Sequence, residues 1–255
     1  MIKTSNLSAM IGKRQILNEI SLELPTSQFH VFCGPNGSGK TTLLRALLGI
    51  QKPSSGSLFI DGKDATDIPP HDRQGLMAWV PAEQPMSFDY LGRDVISWRL
   101  PHKKADLKAD QDADQEADQK AAKKIDEIIS VLGIHKLLDQ PLPKMSLGEQ
   151  KQIHLARVMA SRSTYLLLDE PTACLDPAVS LDFMAWIVRE TSLTKRTVIA
   201  SLHDLTLAHE FAHTVTLLSD GRVADFGDPR KMFLNKSLRD ILGVELTLSG
   251  VSFKR

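Results

Sequence analysis

The chain has 255 residues, with 31 lysines and arginines against 31 aspartates and glutamates, and 42% of its residues are hydrophobic. This length and apolar content predict one globular domain, or one domain with a subdomain, around a packed core. A formal net charge of zero argues against broad electrostatic binding to nucleic acid, which usually shows as a basic imbalance. No stretch approaches the roughly 20 apolar residues of a membrane span. We therefore expect any membrane crossing to belong to another chain.

The first part of the chain has strand patterns. Apolar and polar residues alternate from Met1 to Leu24 around a Gly12-Lys13 turn, which predicts antiparallel strands with one face in water. The apolar run FHVFC, 29–33, predicts a buried strand, and a helix is predicted from Leu43. GSLFIDGKD from Gly56 predicts a strand and a hairpin turn, and GLMAWVP from Gly75 predicts another strand.

From 90 to 162 the pattern becomes helical, with Val95 and Ile96 first and Ile125, Ile128 and Leu132 later at helical spacing. Between them, residues 105–120 repeat Ala-Asp every four positions within a low-complexity insertion of about 103–124. The low apolar content is typical of a solvated helix or a flexible insertion, with a docking surface as the alternative. We assign this segment no chemistry.

After the helical block, strands and helices alternate. TYLLLDEP from Thr164 and RTVIASLHD from Arg196 are strand-like, with a helical pattern around Phe183 and Ile187 between them. This alternation predicts an α/β fold with a parallel sheet. VTLLSDGRVADFGDP predicts a strand, a turn and a strand, after which Asp228-Pro229 opens a helix. Cys33 and Cys174 lie far apart in the sequence, which suits packed thiols in a reducing compartment better than a disulfide framework.

The segment after FHVFC matches the phosphate-loop pattern G-x-x-x-x-G-K-[ST], between a predicted strand and a predicted helix as that motif requires. Glycines let backbone N–H groups approach phosphate oxygens, and the helix adds the positive end of its dipole. We expect Lys40 to reach the β- and γ-phosphates and Thr41 to bind Mg²⁺. The alternative is a glycine-rich turn that binds nothing. The segment consists of Gly34, Pro35, Asn36, Gly37, Ser38, Gly39, Lys40, Thr41 and Thr42.

Two further motifs place polar groups at element ends. LLLDEP presents Asp169 and Glu170 at the end of a buried strand, where Asp169 would bind Mg²⁺ and Glu170 would orient the attacking water. On their own, these carboxylates could equally cap a turn. In MSLGEQ, Ser146 and Glu149 form a capping box that starts a helix. That helix N-terminus, with Ser146 and Gly148, could also receive a phosphate from another subunit.

The order of these motifs resembles the ATP-binding subunits of ABC transporters over nearly the whole chain. The resemblance implies a P-loop NTPase core at 1–89 and 163–255, with an antiparallel β subdomain, and a helical subdomain inserted at 90–162. ACLD, 173–176, resembles the family's D-loop, which ends here in Asp176. SLHDL, 201–205, resembles its switch segment and would place His203 against the γ-phosphate.

The resemblance also implies ligands and partners. ATP and Mg²⁺ would be sandwiched by two copies of the chain, each site combining one copy's phosphate loop with the other's signature. Closure of the pair would drive a transmembrane permease, with the chain peripheral on the cytoplasmic face of the membrane and without a nucleic-acid partner. SWRLPHK and ILGVEL look most like subunits of importers for iron-siderophore, haem or cobalamin complexes.

Four positions depart from the family pattern. The adenine-stacking aromatic is Ile11, and the D-loop serine is Ala173. The signature reads Leu147-Gly148 in place of two glycines, and a leucine would hinder close approach of the backbone to a phosphate. The Gln loop reads VPAEQ, so either Gln84 supplies the metal-and-water contact after a local shift or that contact is missing. The remaining alternatives are an exporter motor, a non-transport ABC protein acting on nucleic acid or the ribosome, and an ATP-binding protein with weak hydrolysis.

Overall fold

In a computed structural model of the chain, the described residues are 1–82, 88–98, 111–232, 241, 244–247 and 250–253. For 74, 111–121, 244–247 and 250–253 the description is limited to the backbone. The strands are β1 Ile2–Ile11, β2 Arg14–Leu24, β3 Phe29–Cys33, β4 Ser55–Ile60, β5 Lys63–Asp64, β6 Met77–Val80, β7 Tyr165–Asp169, β8 Thr197–Ser201, β9 Thr214–Ser219, β10 Arg222–Gly227, β11 Val244–Thr247 and β12 Gly250–Phe253. The helices are α1 Lys40–Leu48, α2 Pro70–Leu76, α3 Gly92–Ser97, α4 Gln111–Leu132, α5 Leu147–Ala160, α6 Pro177–Thr194, α7 Leu205–Phe211 and α8 Pro229–Met232.

The first sheet is antiparallel, with the strand order β2-β1-β4-β5. β1 and β2 form the predicted hairpin, and Gly12 at its turn has φ +59°. Ile20, Leu22 and Leu24 of β2 are buried, whereas the residues between them are exposed. The prediction of antiparallel strands with one wet face is confirmed, because the alternating pattern matches the period-2 orientation of strand side chains.

The second sheet has the order β10-β9-β3-β8-β7-β6. β3 pairs in parallel with β8 and β9, and β7 pairs in parallel with β8 and β6, while β10 is antiparallel to β9. Every residue of β3, β7 and β8 is buried, as expected for parallel strands covered on both faces. The carboxyl ends of these strands share one edge, where ligands of open α/β sheets bind.

Two hydrophobic clusters fill the two faces of this sheet. Val31, Leu168 and Val198 belong to the cluster that includes residues of α5 and α6. Phe32, Leu167 and Ile199 belong to the other cluster, with residues of α1 and of the antiparallel sheet. Successive strand residues thus bury their side chains in different layers, which explains why these segments read as continuous apolar runs.

Several sequence predictions need correction or completion. The strand predicted from Gly75 begins at Met77, because Gly75 and Leu76 end helix α2, which opens with Pro70 at a first-turn position. Cys33 is buried as predicted, but Cys174 is exposed, so the prediction of a packed thiol is wrong there.

Residues 111–120 of the Ala-Asp segment are helical within α4, and 105–110 lie outside the described residues. Among the described helices, none has the length and apolar character needed to span a membrane.

Candidate active site

The glycine-rich loop leaves β3 at the carboxyl edge of the parallel sheet and leads into α1. Gly34 has φ +146°, and a Cβ atom there would lie 2.2 Å from the carbonyl oxygen of Leu218. Gly39 has φ +104° and is the N-cap of α1, with no side chain to satisfy the first N–H groups of the helix. These two glycines therefore permit the left-handed backbone and close packing that turn the chain onto the helix N-terminus. Open N–H groups at such a terminus favour an anion.

Lys40 folds back over this loop. Its Nζ donates hydrogen bonds to the carbonyl oxygens of Gly34 at 2.8 Å and Pro35 at 3.0 Å. Burial lowers the pKa of the Lys40 ammonium, against the opposite effect of Glu170, Cys33 and Asp169. The ammonium thus lies within electrostatic range of the two carboxylates that follow β7, where it can bind a phosphate oxygen. The loop also contains the buried Ser38 hydroxyl, which has no hydrogen-bond partner within the described part of the chain.

Ser201 joins the two carboxylate residues. Its hydroxyl donates to Oδ1 of Asp169 at 2.6 Å and accepts from the N–H of Glu170 at 2.9 Å. The contact follows from strand register, since Asp169 and Ser201 are paired between β7 and β8. The sequence motifs assign Ser201 no role of its own; its one local signal is a hydroxyl residue at the end of an apolar strand.

Asp169 has the chemistry of a cation ligand. The residue is 1% exposed, and its Oδ2 atom is buried without a hydrogen-bond donor among the described residues. A buried carboxylate oxygen without a donor is costly unless a cation or a bound ligand satisfies it. Oxygen ligands of this kind, together with the hydroxyl of Thr41, suit Mg²⁺. The residues present therefore fit the metal.

Glu170 and His203 form a pair at the mouth of the site. Oε1 of Glu170 lies 2.6 Å from Nε2 of His203, and their side chains are 32% and 45% exposed. Glu170 has φ +51°, a conformation that few non-glycine residues adopt and that often marks a functional position. The pair opens on a cavity of about 490 Å³ between α6 and α7. A water molecule there could be held by the carboxylate and exchange a proton with it.

The segment after Glu170 forms a compact turn. The N–H of Ala173 donates to the carbonyl oxygen of Glu170 at 3.2 Å, and Asp176 is the N-cap residue of α6. Cys174 lies against the start of α5, because a Cβ atom on Gly148 would be 3.3 Å from Cβ of Cys174. The D-loop segment and the signature segment of one chain are therefore in contact.

The start of α5 has the predicted capping box. The N–H of Ser146 donates to Oε2 of Glu149 at 2.7 Å, and the N–H of Glu149 donates to Oγ of Ser146 at 3.3 Å. Leu147, the first residue of the helix, is 64% exposed. The serine is therefore occupied within its own helix, and a leucine side chain stands in solvent beside it. Gln84 lies outside the described residues, so its predicted contact stays a prediction.

Comparisons with known proteins find relatives over most of the chain. A family model described as ABC transporter matches residues 17–173. The hemin import ATP-binding protein HmuV of Rhodopseudomonas palustris is 30% identical, over 97% of this chain and 90% of that protein. A probable sulfate/thiosulfate import ATP-binding protein CysA of Chlorella vulgaris is 28% identical, over 91% of this chain and 92% of that protein.

A solved structure of cbiO1 from Clostridium perfringens, described as part of the ABC transporter complex cbiONQ, has a TM-score of 0.71 and 25% identity. The match covers 94% of this chain and 92% of that one. The chain therefore belongs to the ABC transporter family, in which it is an ATP-hydrolysing, ATP-binding subunit.

Proposed function

We propose that this ATPase energises a membrane importer, with a cargo of the iron-siderophore, haem or cobalamin type. The observation that supports the motor role most directly is the meeting of Lys40, Asp169 and the Glu170–His203 pair at one edge of the parallel sheet. The named relatives act in import, one on hemin and one on sulfate or thiosulfate. The cargo class rests on the hemin importer among these relatives and on the importer-type segments SWRLPHK and ILGVEL.

Each site residue has a role in this proposal. The phosphate loop and Lys40 bind the β- and γ-phosphates of ATP through N–H groups and charge. Thr41 and Asp169 hold Mg²⁺, with Gln84 as a further ligand, and the bound ion neutralises phosphate charge. Glu170 orients the attacking water and accepts its proton. His203 positions the Glu170 carboxylate through their hydrogen bond and contacts the γ-phosphate.

A second copy of the chain completes the site in this proposal. Ser146 and Gly148 at the start of α5, together with Asp176, would face the nucleotide held by the other copy. Two features support it: Glu170 and His203 are partly exposed on the open side of the site, and the N-terminus of α5 is exposed at Leu147. A covering partner would exclude bulk water from the site, which strengthens the electrostatic contacts to the phosphates, while the attacking water stays beside Glu170.

Three exposed aromatic side chains are the proposed contact with the permease. Phe88 is 68% exposed, Tyr90 43% and Trp98 37%. Their rings form one cluster, with centroids of Phe88 and Tyr90 6.2 Å apart and of Tyr90 and Trp98 4.8 Å apart. Clustered exposed aromatics are typical of protein interfaces. The chain would then lie on the cytoplasmic face of the membrane, held there by its partner.

Affinity purification tests the proposal. A tagged Glu170→Gln chain is recovered from detergent-solubilised membranes of its own cells with Mg-ATP, and its partners are identified by mass spectrometry. We expect a stoichiometric multi-span permease, whose identity also narrows the cargo. Trp98→Ser should reduce its recovery, whereas Phe226→Ser, which changes an aromatic of similar exposure on β10, should not. Recovery with ribosomes, nucleic acid or soluble proteins alone would overturn the proposal.

A further inference from the structure

Lys151 is a buried ammonium that links the signature helix to the edge of the catalytic sheet. It lies in α5, five residues after Ser146, and is 7% exposed. Its Nζ donates a hydrogen bond to the carbonyl oxygen of Ala82 at 3.1 Å. Ala82 comes two residues after the end of β6. An ammonium is costly to bury unless its donors are satisfied, so this contact restrains where α5 can lie relative to β6.

The carbonyl of Ala82 stands beside the catalytic strand. β6 and β7 are neighbours, and Val80 pairs with Leu168, the residue before Asp169. The ends of both strands therefore lie at the carboxyl edge that holds Glu170. Lys151 reaches the end of β6, and Gly148 packs on Cys174, which follows the end of β7. The first turns of α5 are thus held across two adjacent strand ends.

A third contact holds the other side of α5. Nε2 of the buried Gln150 donates to the carbonyl oxygens of Leu142 at 3.0 Å and Met145 at 3.2 Å, in the turn that precedes the helix. Gln150 thus fixes α5 to its own helical block, and Lys151 fixes it to the sheet. Adjacent residues of one helix make these two contacts, so the start of α5 is held both to its own helical block and to the edge of the sheet.

We propose that Lys151 is a positioning residue that keeps the N-terminus of α5 in a fixed placement relative to Glu170. The inference rests on the proposed function, in which this N-terminus faces the nucleotide of a second copy. In this role Lys151 acts through the placement of α5 and not by binding the nucleotide. Loss of the Lys151 ammonium leaves ATP binding by the phosphate loop intact, but the signature segment of one copy is no longer correctly placed against the ATP of the other copy. Hydrolysis and ATP-driven dimerisation both depend on that placement.

Four variants test this role: Lys151→Met, Lys151→Gln, Lys151→Arg and Lys144→Met. Methionine keeps the bulk of the side chain without the donor, glutamine keeps a donor on a shorter side chain, and arginine keeps a charged donor of similar reach. Lys144 is an exposed lysine in the turn before α5 and is the matched control. The measurements are the affinity of each chain for a fluorescent ATP analogue, kcat and KM for Mg-ATP, and ATP-dependent dimerisation in a Glu170→Gln background.

We expect Lys151→Met and Lys151→Gln to keep nucleotide affinity and KM within about threefold, and to lower kcat on the order of tenfold, as for loss of one charge-assisted hydrogen bond. The ATP concentration that gives half-maximal dimerisation should rise by a similar factor. Lys151→Arg should recover most of both losses, and Lys144→Met should match the parent. The two deficient variants give independent readings, so the failure of one to fold leaves the other.

Two results would overturn the inference. One is a parental kcat in Lys151→Met or Lys151→Gln. The other is a folded Lys151→Arg whose kcat is as low as that of Lys151→Gln. A charged donor that reaches the Ala82 carbonyl would then not be what sets the rate. A Glu170→Gln parent that stays monomeric with Mg-ATP contradicts the proposed second copy instead, and Lys151 is then judged on kcat alone.

Discussion

At the scale of single residues, one hydroxyl orients both carboxylate residues at the carboxyl end of β7. Ser201 donates to Asp169 and accepts from the backbone of Glu170, so it orients the proposed metal ligand and the proposed base together. Ser201 is fully buried. Its removal would leave both an acceptor and a donor in the interior without their partner, and each such loss is costly.

Replacement of Ser201 by alanine should lower the free energy of unfolding by about 1–3 kcal/mol, the usual cost of unpaired buried polar groups. It should also lower kcat by at least about tenfold, because the carboxylates lose their orientation. Urea unfolding and steady-state ATPase assays measure the two effects. Ser192→Ala is the control, since that exposed hydroxyl bonds the Val188 carbonyl within its own helix. Unchanged stability and turnover in Ser201→Ala would contradict this account of the site.

The place of a predicted site residue in the fold is easiest to read from the sequence where the motif is contiguous. The phosphate loop, Asp169 and Glu170 each follow a short apolar run, so their position at a strand end can be read from the chain alone. The contacts of Ser201 and Lys151 depend on which strands and helices are neighbours, and no local pattern encodes that. The prediction that Cys174 is packed is wrong because free cysteine is among the most buried residue types, whereas this residue lies in a surface turn that its own side chain does not reveal.

At the scale of elements, a largely buried charge cluster joins α4 to α6 and to Arg196, the residue before β8. Lys124 of α4 forms an ion pair with Glu190 of α6, and Nη1 of Arg196 lies 3.2 Å from Oε1 of the same glutamate. Arg196 also donates to the carbonyl oxygens of Ser163 at 2.9 Å and Met159 at 3.0 Å. Burial lowers the pKa of both cations. Glu190 is therefore the carboxylate that both cations share.

Glu190→Gln should destabilise the protein by about 3–5 kcal/mol, because it leaves the buried Arg196 and the largely buried Lys124 side by side without their anion. Glu127→Gln is the matched control at the same interface. Glu127 pairs with Arg189, and both are substantially exposed, so its loss should cost at most about 1 kcal/mol. Chemical unfolding of the two variants measures the difference. Equal costs would show that burial does not set the strength of the α4–α6 contact.

Element types are easier to predict than their ends. The strands of the parallel sheet are short apolar runs, and the helices between them have apolar residues at helical spacing. Helix α2 was missed because it is short and largely polar, so the apolar run GLMAWV reads as one strand although its first two residues end the helix. Such a boundary depends on where backbone hydrogen bonds change partner, which hydrophobicity does not report.

At the scale of the whole molecule, β3 is the central strand that links the layers, and it includes a buried histidine. His30 contacts Oγ1 of Thr214 on β9 at 2.5 Å and the carbonyl oxygen of Pro25 at 2.7 Å. Burial, opposed by the hydrogen bond to Pro25 and helped by His213, lowers the pKa of His30 from 6.5 to about 4. The folded protein thus keeps this imidazole neutral where the unfolded chain would protonate it.

This difference predicts a loss of stability in acid. Between pH 6.5 and pH 4 the unfolded state binds a proton at His30 that the folded state does not, so stability falls as the pH falls. The full contribution is about 3 kcal/mol. Urea unfolding at several pH values should show a weaker pH dependence for His30→Gln than for the parent. The exposed His71 provides the control variant His71→Gln. An identical pH dependence in His30→Gln and the parent would contradict the prediction.

The alternation of strands and helices predicts the parallel sheet, and the order of motifs predicts the family, which the comparisons confirm. The division into a core at 1–89 and 163–255 and a helical block at 90–162 stays a proposal. The layering of two sheets against one another arises from packing of residues far apart in sequence, such as Phe32 with residues of β1 and β2. Periodicity within one segment contains no information on that pairing.

The most direct test of the central claim is light scattering of Glu170→Gln with and without Mg-ATP. The variant should bind ATP without hydrolysing it and should shift from the mass of one chain, 28.2 kDa, to twice that mass when Mg-ATP is added. Lys40→Ala in the same background should abolish the shift, because the phosphates lose their lysine. A Glu170→Gln chain that binds Mg-ATP and stays monomeric at saturation, or that hydrolyses ATP at the parental rate, would contradict the account.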